Sequence, residues 1–290
     1  MNFQKIISVC ILALVFYSAK AQDWTNSPDS TATIVTFEST RLVDQHTVET
    51  LAPRTLDFLI SHRFGPINSM AYNAWGIDGP ANIRFALEYS PTSRLMFGIG
   101  RCSNEKMVDG FLKFRLLRQS KDTGIPLSLT LFAGSYYTTM KDGNKEANGF
   151  DKYQYASSRL SYCFEVMIAR KFSSAFSLQI APWFVHYNLV DHITDQNDAF
   201  GVAGLLRMKF TKRSAITFEY AYRINNYSLD VKYYDSMSIG YEVETGGHVF
   251  QVHFTNSFGL NESQFFAHTD SKWNNMGIRL GFNISRKFSL

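Results

Sequence analysis

The sequence has few charges, few prolines and few cysteines. Charged residues make up 19% of its 290 positions, below the roughly 25% of an average soluble domain. Its seven prolines are too few for a long disordered or low-complexity chain. Neither sign of charge dominates, since 29 Lys and Arg stand against 25 Asp and Glu. This balance excludes a dedicated nucleic-acid binder, which would carry a basic face.

Long hydrophobic runs are also missing after the first 21 residues, and the mean hydropathy is −0.15, so a bundle of membrane helices is excluded. Residues 1–21 have the pattern of a signal peptide, with Lys5, an apolar run over 6–17 and a small-residue cleavage site at 19–21. That run is too short for a membrane anchor, which needs about 20 residues. We therefore expect cleavage before Gln22, export, and a mature domain over 22–290.

The cysteines give little indication of function. The mature chain keeps Cys102 and Cys163, which fall on predicted strands that are not neighbours, so we expect two separate thiols rather than a disulfide. The spacings of zinc and haem motifs are absent from the sequence, and we predict neither a metal nor another cofactor.

The strongest signal present is an alternation of apolar and polar residues with a period of two, which predicts β-strands. In the last segment the apolar residues from Ile278 to Ile284 have even numbers and the polar residues odd numbers. The same pattern occurs over 55–64, 82–89, 108–118, 158–170, 199–211 and 215–224. Weaker strands are predicted over 33–43, 46–51, 95–102, 127–138, 176–187, 238–245 and 248–256. The total is 12–14 strands.

The connections between these strands sort by length. Tight turns over 91–94, 171–175 and 212–214 alternate with longer polar segments over 65–80, 139–156, 188–198, 226–237 and 257–272. Short periplasmic turns and longer extracellular loops are typical of an outer-membrane barrel, whereas the connections of a secreted β-sandwich do not sort in this way. Because lipid offers no hydrogen-bond partners, the backbone must pair within a closed barrel. We predict an all-β fold, an antiparallel transmembrane β-barrel of 12–14 strands.

The alternation changes phase between Val243 and Phe250, since the apolar residues are odd-numbered before this point and even-numbered after it. One straight strand cannot place both sets in lipid. Gly246 and Gly247 allow a tight turn or a bulge, because glycine reaches positive φ. We favour the turn, which predicts two strands.

Several stretches resemble a known family. FESTR (37–41), LISHRFG (59–65), FGIGR (97–101) and above all ETGGHVFQVHFTNS (244–257) are similar to an uncharacterised family of β-barrel proteins of Bacteroidota-type bacteria. The resemblance implies an outer-membrane barrel and no established activity. The C-terminal stretch over 277–288 resembles the closing strand that the barrel assembly machinery recognises, with Phe288 as the terminal aromatic signal. Outer-membrane lipid and that machinery are therefore the expected partners.

The face opposite the lipid-facing residues should line the lumen. Its candidate residues carry both signs of charge and are Arg84, Glu88, Arg115, Glu165, Arg207, Glu219, Arg223, Glu242, Glu244, Gln251, His253 and Arg279. A network of ion pairs that fills a narrow barrel and a pathway for a small solute both explain this set. The carboxylates and imidazoles around Gly246 and Gly247 match no known metal spacing, so a structural turn is the preferred interpretation there.

The sequence therefore does not decide which class of function the protein has. A channel or transporter for a small solute and a non-conducting structural or partner-binding barrel are the two main hypotheses. A barrel hydrolase would need a serine beside a histidine. The pairs Ser61 with His62, Ser174 with His186, and Ser257 with His253 are close only in sequence. No catalytic residue is assigned, and we expect no enzyme.

Overall fold

The computed structural model describes residues 34–141, 152–190, 194–225, 228, 231–245 and 248–290. The predicted signal peptide lies outside these residues and stays a prediction. The described residues form twelve strands. They are β1 (Thr55–Pro66), β2 (Asn82–Ser90), β3 (Leu95–Cys102), β4 (Met107–Leu117), β5 (Ser128–Thr138), β6 (Leu160–Lys171), β7 (Phe176–Tyr187), β8 (Asp198–Lys209), β9 (Ser214–Arg223), β10 (Ser236–Thr245), β11 (His248–Thr255) and β12 (Arg279–Ser289).

The strands close into one barrel. Each strand pairs antiparallel with the next along the chain, and β1 pairs with β12 from Thr55↔Ser289 to Arg63↔Gly281. The predicted fold class and strand number are confirmed. The sheet closes because every wall strand then has a partner on both sides, so no edge faces lipid.

Period-two alternation explains why these segments form the wall. In β9 the residues that point inward, such as Glu219, are buried, while Ile216 and Tyr222 on the other face are 49% and 52% exposed. The same exposure of large apolar side chains recurs on the outer face of most of the other strands. This gives an apolar outer belt and a polar interior, the arrangement of a membrane barrel. None of the helices in the described ranges is long and apolar enough to cross a membrane.

The two ends of the barrel differ. Short turns over 91–94, 172–175 and 210–213 lie at the end where β1 begins and β12 ends, which we call the short-turn end. The longer connections over 67–81, 139–159, 188–197, 224–235 and 256–278 lie at the opposite, long-loop end. Two connections depart from this pattern: residues 103–106, between β3 and β4, are short at the long-loop end, and the connection over 118–127, between β4 and β5, is longer at the short-turn end.

Two separate strands flank the predicted glycine turn. β10 and β11 pair antiparallel from Thr245↔His248 to Ser238↔Thr255, so the prediction of two strands is confirmed. Gly246 and Gly247 themselves lie outside the described residues. Cys102 and Cys163 lie on β3 and β6, and both are free and buried.

The predicted strands over 33–43 and 46–51 are wrong. Residues 34–54, here called the plug, enter the lumen from the short-turn end and reverse direction inside it, and most of their side chains are buried. The reversal is tight, because Leu42 N donates to Gln45 O at 3.1 Å and Thr47 N to Thr40 O at 2.9 Å. The plug cannot join the wall, since β1 and β12 already close it.

A second insertion comes from the long-loop end. The segment 257–272, predicted as a polar loop, contains the short helix α1 (Glu262–Ala267), whose six residues are all buried. Asn261 caps the helix by accepting a hydrogen bond from Gln264 N at 3.1 Å. Phe266 stacks on Trp183 of the wall, with ring centroids 4.6 Å apart. The core of the molecule is therefore the lumen itself.

Candidate functional site

The structure places the predicted lumen residues in two groups. Ten of the twelve are buried inside the barrel, at 0–7% exposure. They are Arg84, Glu88, Arg115, Glu165, Arg207, Glu219, Glu242, Gln251, His253 and Arg279. Arg223 and Glu244 have inward positions near strand ends and are half-buried. Most of the buried group contacts the plug rather than open solvent.

Asp44 anchors the tip of the plug to the wall. Its carboxylate lies 2.5 Å from Arg63 Nη2 and accepts hydrogen bonds from the hydroxyls of Ser238 at 2.6 Å and Thr255 at 3.1 Å. Arg63 also donates to Val43 O at 3.1 Å. One aspartate of the plug therefore connects strands β1, β10 and β11.

Glu219 holds the backbone of the same tip. Its carboxylate accepts hydrogen bonds from the N–H groups of Val43 at 2.8 Å, Asp44 at 2.9 Å and Gln45 at 3.3 Å. Buried backbone N–H groups need partners, and a carboxylate is a strong acceptor. Glu219 thus supplies hydrogen-bond acceptors to three N–H groups of the turn, which would otherwise be unpaired.

The arms of the plug are held by further charged wall residues. Lys113 Nζ donates to Glu49 O at 2.6 Å and to Thr40 O at 3.2 Å. Arg115 Nη1 lies 3.3 Å from the Glu49 carboxylate, and Glu88 accepts from the Thr40 hydroxyl at 2.9 Å. This side of the plug is therefore bound to β2 and β4 through polar contacts.

On the opposite side, Glu242 lies at the centre of the contacts. It pairs with Arg207 at 2.9 Å and accepts hydrogen bonds from Gln251 at 2.9 Å and from the Ser39 hydroxyl of the plug at 3.2 Å. Glu38 of the plug lies 3.2 Å from Lys209. The plug therefore makes charged contacts on both sides of the lumen.

The plug and helix α1 meet in the middle of the barrel. Arg41 Nη1 lies 2.9 Å from Glu262 Oε1, and Tyr136 donates its hydroxyl to Glu262 Oε2 at 2.7 Å. His46 packs between the rings of Phe111 and Phe132, at centroid distances of 4.6 and 4.7 Å. Burial, and after it the neighbouring Arg41 guanidinium, hold the pKa of His46 well below its usual value. The imidazole is therefore neutral at pH 7.

The remaining predicted residues are not brought into this network. Arg84 of β2 pairs with Asp109 of β4 at 2.5 Å, and the inward-facing carboxylate of Glu165 has no hydrogen-bond partner among the described residues. Arg223 donates to Ala267 O at 2.9 Å, behind helix α1. Arg279 lies 3.9 Å from the exposed Asp270, and Glu244 lies at the short-turn rim. Both ring nitrogens of the buried His253 lack a hydrogen-bond partner. No group of three or more metal-binding side chains occurs within the part of the chain that the structure describes.

Two of the three candidate serine and histidine pairs are separated. Ser61 is buried in the lumen, while His62 lies on the outer face, stacked on Phe282 at 5.1 Å. Ser174 lies in the turn before β7, whereas His186 is near the other end of that strand and contacts Asp198 at 2.6 Å. Neither geometry brings a serine hydroxyl to an imidazole. In the third pair, the Ser257 hydroxyl donates to Gly259 O at 3.5 Å, and His253 has no hydrogen-bond partner among the described residues.

Sequence reasoning missed the plug residues Arg41, Asp44 and Glu49 and the loop residue Glu262. A signal for the plug exists, because its charges Glu38, Arg41, Asp44 and Glu49 fall on both even and odd positions. A wall strand keeps one parity free of charge for lipid. Charges on both parities therefore distinguish a lumen-filling segment from a wall strand.

An apolar outer belt around a closed twelve-stranded sheet, with a charged and filled interior, defines a membrane β-barrel. The chain belongs to the family described as membrane bound beta barrel domain (DUF5777), whose model matches residues 37–288. This confirms the predicted resemblance to a β-barrel family. Because the match begins at residue 37, most of the plug is part of the family's domain.

Several solved barrels match this chain at low sequence identity. Outer membrane phospholipase A from Escherichia coli matches at 10% identity, over 80% of this chain and 92% of that chain, with a TM-score of 0.44. OmpF of Salmonella typhi in complex with daunomycin matches at 9% identity, over 81% and 97%, with a TM-score of 0.36. The P. putida toluene transporter TodX matches at 9%, over 83% and 81%, with a TM-score of 0.34. A search of curated proteins found no significant match. None of these likenesses bears on activity.

Proposed function

We propose that the protein is an outer-membrane barrel that provides a gated path for a small polar solute, with the plug as the gate. The observation that carries this proposal is the polarity of the interface between plug and wall. Asp44, Glu49 and Glu38 of the plug all contact wall cations. Polar contacts that water can replace thus hold the plug on both sides, beside its buried apolar side chains Phe37, Leu42, Val48 and Leu51.

A permanent filling would not need this chemistry. Replacing buried ion pairs by well-packed apolar residues is often neutral or stabilising, so a barrel that never opens gains little from charges at this interface. A charged wall has a different use, because it stays hydrated when the plug leaves, as the interior of a porin does. Retained ion pairs therefore favour a segment that docks and undocks.

A second candidate is a non-conducting barrel that binds a partner. It is favoured by helix α1, whose six residues are buried inside the barrel and which is fixed by an apolar contact, the stacking of Phe266 on Trp183. In this case undocking of the plug would expose a binding surface without opening a path. The two candidates differ in whether the barrel conducts ions.

The test is conductance of the purified mature chain in planar bilayers. A Val43→Cys, Gly240→Cys variant can lock the plug, because a Cβ at Gly240 would lie 2.8 Å from Val43 Cγ2, and this brings the two Cβ atoms into the roughly 3.5–4.5 Å range of a disulfide. We expect the oxidised variant to stay closed and the reduced variant to open, with each single variant as a control. Asp44→Asn should raise the open probability. A folded Asp44→Asn barrel that never conducts would favour the partner-binding candidate.

Export and assembly belong to the same proposal. Cleavage of residues 1–21 would deliver a chain that starts at Gln22, and Phe288 would present the C-terminal strand to the assembly machinery. N-terminal sequencing of the outer-membrane fraction tests the first point, and the yield of folded Phe288→Ala barrel tests the second. We propose no hydrolase activity, since Ser61 and Ser174 lie apart from His62 and His186.

A further inference from the structure

The ionic contacts between the plug and the wall all have the same direction. In each of them the plug supplies the carboxylate and the wall supplies the cation. The pairs are Glu38 with Lys209 at 3.2 Å, Asp44 with Arg63 at 2.5 Å, and Glu49 with Arg115 at 3.3 Å. Arg41, the buried cation of the plug, is directed at Glu262 of helix α1 rather than at a wall carboxylate. To the wall, the plug is therefore an anion.

The wall carboxylates that contact the plug are fewer than the cations and bind its neutral groups. Glu242 and Glu88 accept hydrogen bonds from hydroxyls of the plug, and Glu219 accepts them from backbone N–H groups at its tip. Glu242 is also paired with Arg207 at 2.9 Å. Apart from Arg207, six wall cations contact the plug, namely Arg63, Lys113, Arg115, Lys171, Lys209 and Lys287. Cations are thus in excess where the plug docks.

These cations extend from the short-turn end deep into the lumen. Lys171 and Lys209 are the last residues of β6 and β8, and Lys171 Nζ donates to Val35 O at 3.0 Å. Arg63 lies roughly 26 Å along β1 from Thr55, at about 3.3 Å per residue. An undocked plug therefore leaves a succession of cationic positions along the barrel.

A wall of this kind attracts anions once water enters the lumen. A cleft lined by an excess of one sign of charge raises the local concentration of ions of the opposite sign. Arginine also binds a carboxylate through two parallel hydrogen bonds. The carboxylates of Glu38, Asp44 and Glu49 thus mark positions at which the wall already binds this group.

We propose that the wall cations that hold the plug are binding sites for the solute, and that this solute is a small carboxylate anion. The proposal rests on the gated path proposed above and names the class of solute that uses it. In the docked state the carboxylates of the plug occupy the sites, and in the undocked state the carboxylates of the solute take their place. Solute and plug therefore compete, so the solute shifts the barrel toward its open state.

This competition is measured by trypsin cleavage of the folded mature chain after Arg41, which is buried when the plug is docked. Succinate is the probe, and succinamide, its uncharged diamide, is the reference at the same concentration and ionic strength. A ligand that binds only the undocked barrel, at ten times its Kd, should raise the undocked population and the cleavage rate about tenfold. Succinamide should leave the rate unchanged.

Two variants on β6 and β8 show whether the lumen cations cause the effect. Lys171→Gln combined with Lys209→Gln should reduce the acceleration by succinate. Arg170→Gln removes the neighbouring cation of β6, which is exposed on the outer face over the ring of Phe172, and should preserve the acceleration. Each variant is judged by the ratio of its rates with and without succinate, so a change in basal docking does not affect the comparison.

Ion selectivity of the open Asp44→Asn barrel gives an independent measurement. In a planar bilayer under a KCl gradient, chloride should permeate roughly fivefold faster than potassium, the factor that one pair of unit charges about 4 Å apart in water provides. Lys171→Glu combined with Lys209→Glu should lower this ratio, and Arg170→Glu should not.

The two measurements separate this proposal from the gated path. A barrel that never conducts, but whose plug is released by succinate, would exclude the path and support the anion sites. A current that prefers potassium would overturn the anion sites and leave the path. Equal cleavage rates with succinate and succinamide would also overturn the anion sites.

Discussion

Replacing Asp44 by asparagine should release the plug from the wall. Asparagine keeps the shape of the side chain but leaves Arg63, whose side chain is 0% exposed, without its counter-ion. Removing one partner of a buried ion pair costs about 3–5 kcal/mol. We take the lower end of this range, because Arg63 still donates to Val43 O. About 3 kcal/mol corresponds to roughly a hundredfold loss in the docking equilibrium.

Trypsin cleavage of the folded barrel after Arg41 measures this change. Arg41 is 5% exposed when the plug is docked, so cleavage there requires undocking. When undocking is fast relative to cleavage, the cleavage rate follows the undocked population. We therefore expect roughly a hundredfold faster cleavage in Asp44→Asn than in the wild type.

Two controls make the result specific to the buried pair. Asp270→Asn removes an aspartate whose side chain is 63% exposed, 3.9 Å from Arg279, and should leave the cleavage rate unchanged. Asp44→Leu combined with Arg63→Met replaces the pair by apolar groups and should restore much of the protection. If Asp44→Asn stays folded by gel mobility before and after boiling, yet is cleaved at the wild-type rate, the plug is not held by this ion pair.

Three further predictions follow from other features. Since burial and Arg41 lower the pKa of His46, the undocked plug binds more protons below about pH 6.5, so docking weakens as the pH falls. Conductance should then rise from about pH 7.5 to about pH 5 in the wild type and less in His46→Phe; equal responses would refute the role of His46. Ile284→Arg places a charge at the middle of the lipid-facing side of β12 and should lower the free energy of unfolding by about 2–4 kcal/mol; a loss below about 1 kcal/mol in urea titration would contradict this lipid exposure. Gly281→Ala should reduce the yield of folded barrel, because a Cβ there would clash with His253, whereas Gly204→Ala meets open space and should fold normally.

The wall could be predicted from sequence because lipid and lumen impose opposite polarity on alternate residues. In β12, for example, Leu280, Phe282 and Ile284 have one parity, and Arg279, Gly281 and Asn283 the other. Closure then follows, since a strand edge in lipid would leave backbone groups unpaired. The alternation along each strand, together with the opposite polarity of lipid and lumen, was sufficient to predict the barrel wall.

The plug could not be predicted in the same way, because its partners are far away in sequence. Asn283 illustrates the problem, since its parity predicts only that it faces the lumen. Its side-chain amide donates to Leu42 O at 3.1 Å and Val43 O at 2.8 Å, contacts across about 240 residues. Helix α1 was missed for a related reason, since six residues give no helical periodicity and Phe266 is buried by Trp183 rather than by its own neighbours.

The contacts of the plug tip have a consequence for how the barrel assembles. The seam between β1 and β12, which are the first and last strands of the chain, is bridged from inside: Arg63 of β1 binds Asp44, and Asn283 of β12 donates to Val43 O. A one-residue slip at the seam would turn Arg63 toward lipid and break this contact. The contacts of the tip therefore stabilise the one register in which the first and last strands both reach it. A chain that lacks residues 34–54 would have to find that register from the strand edges alone.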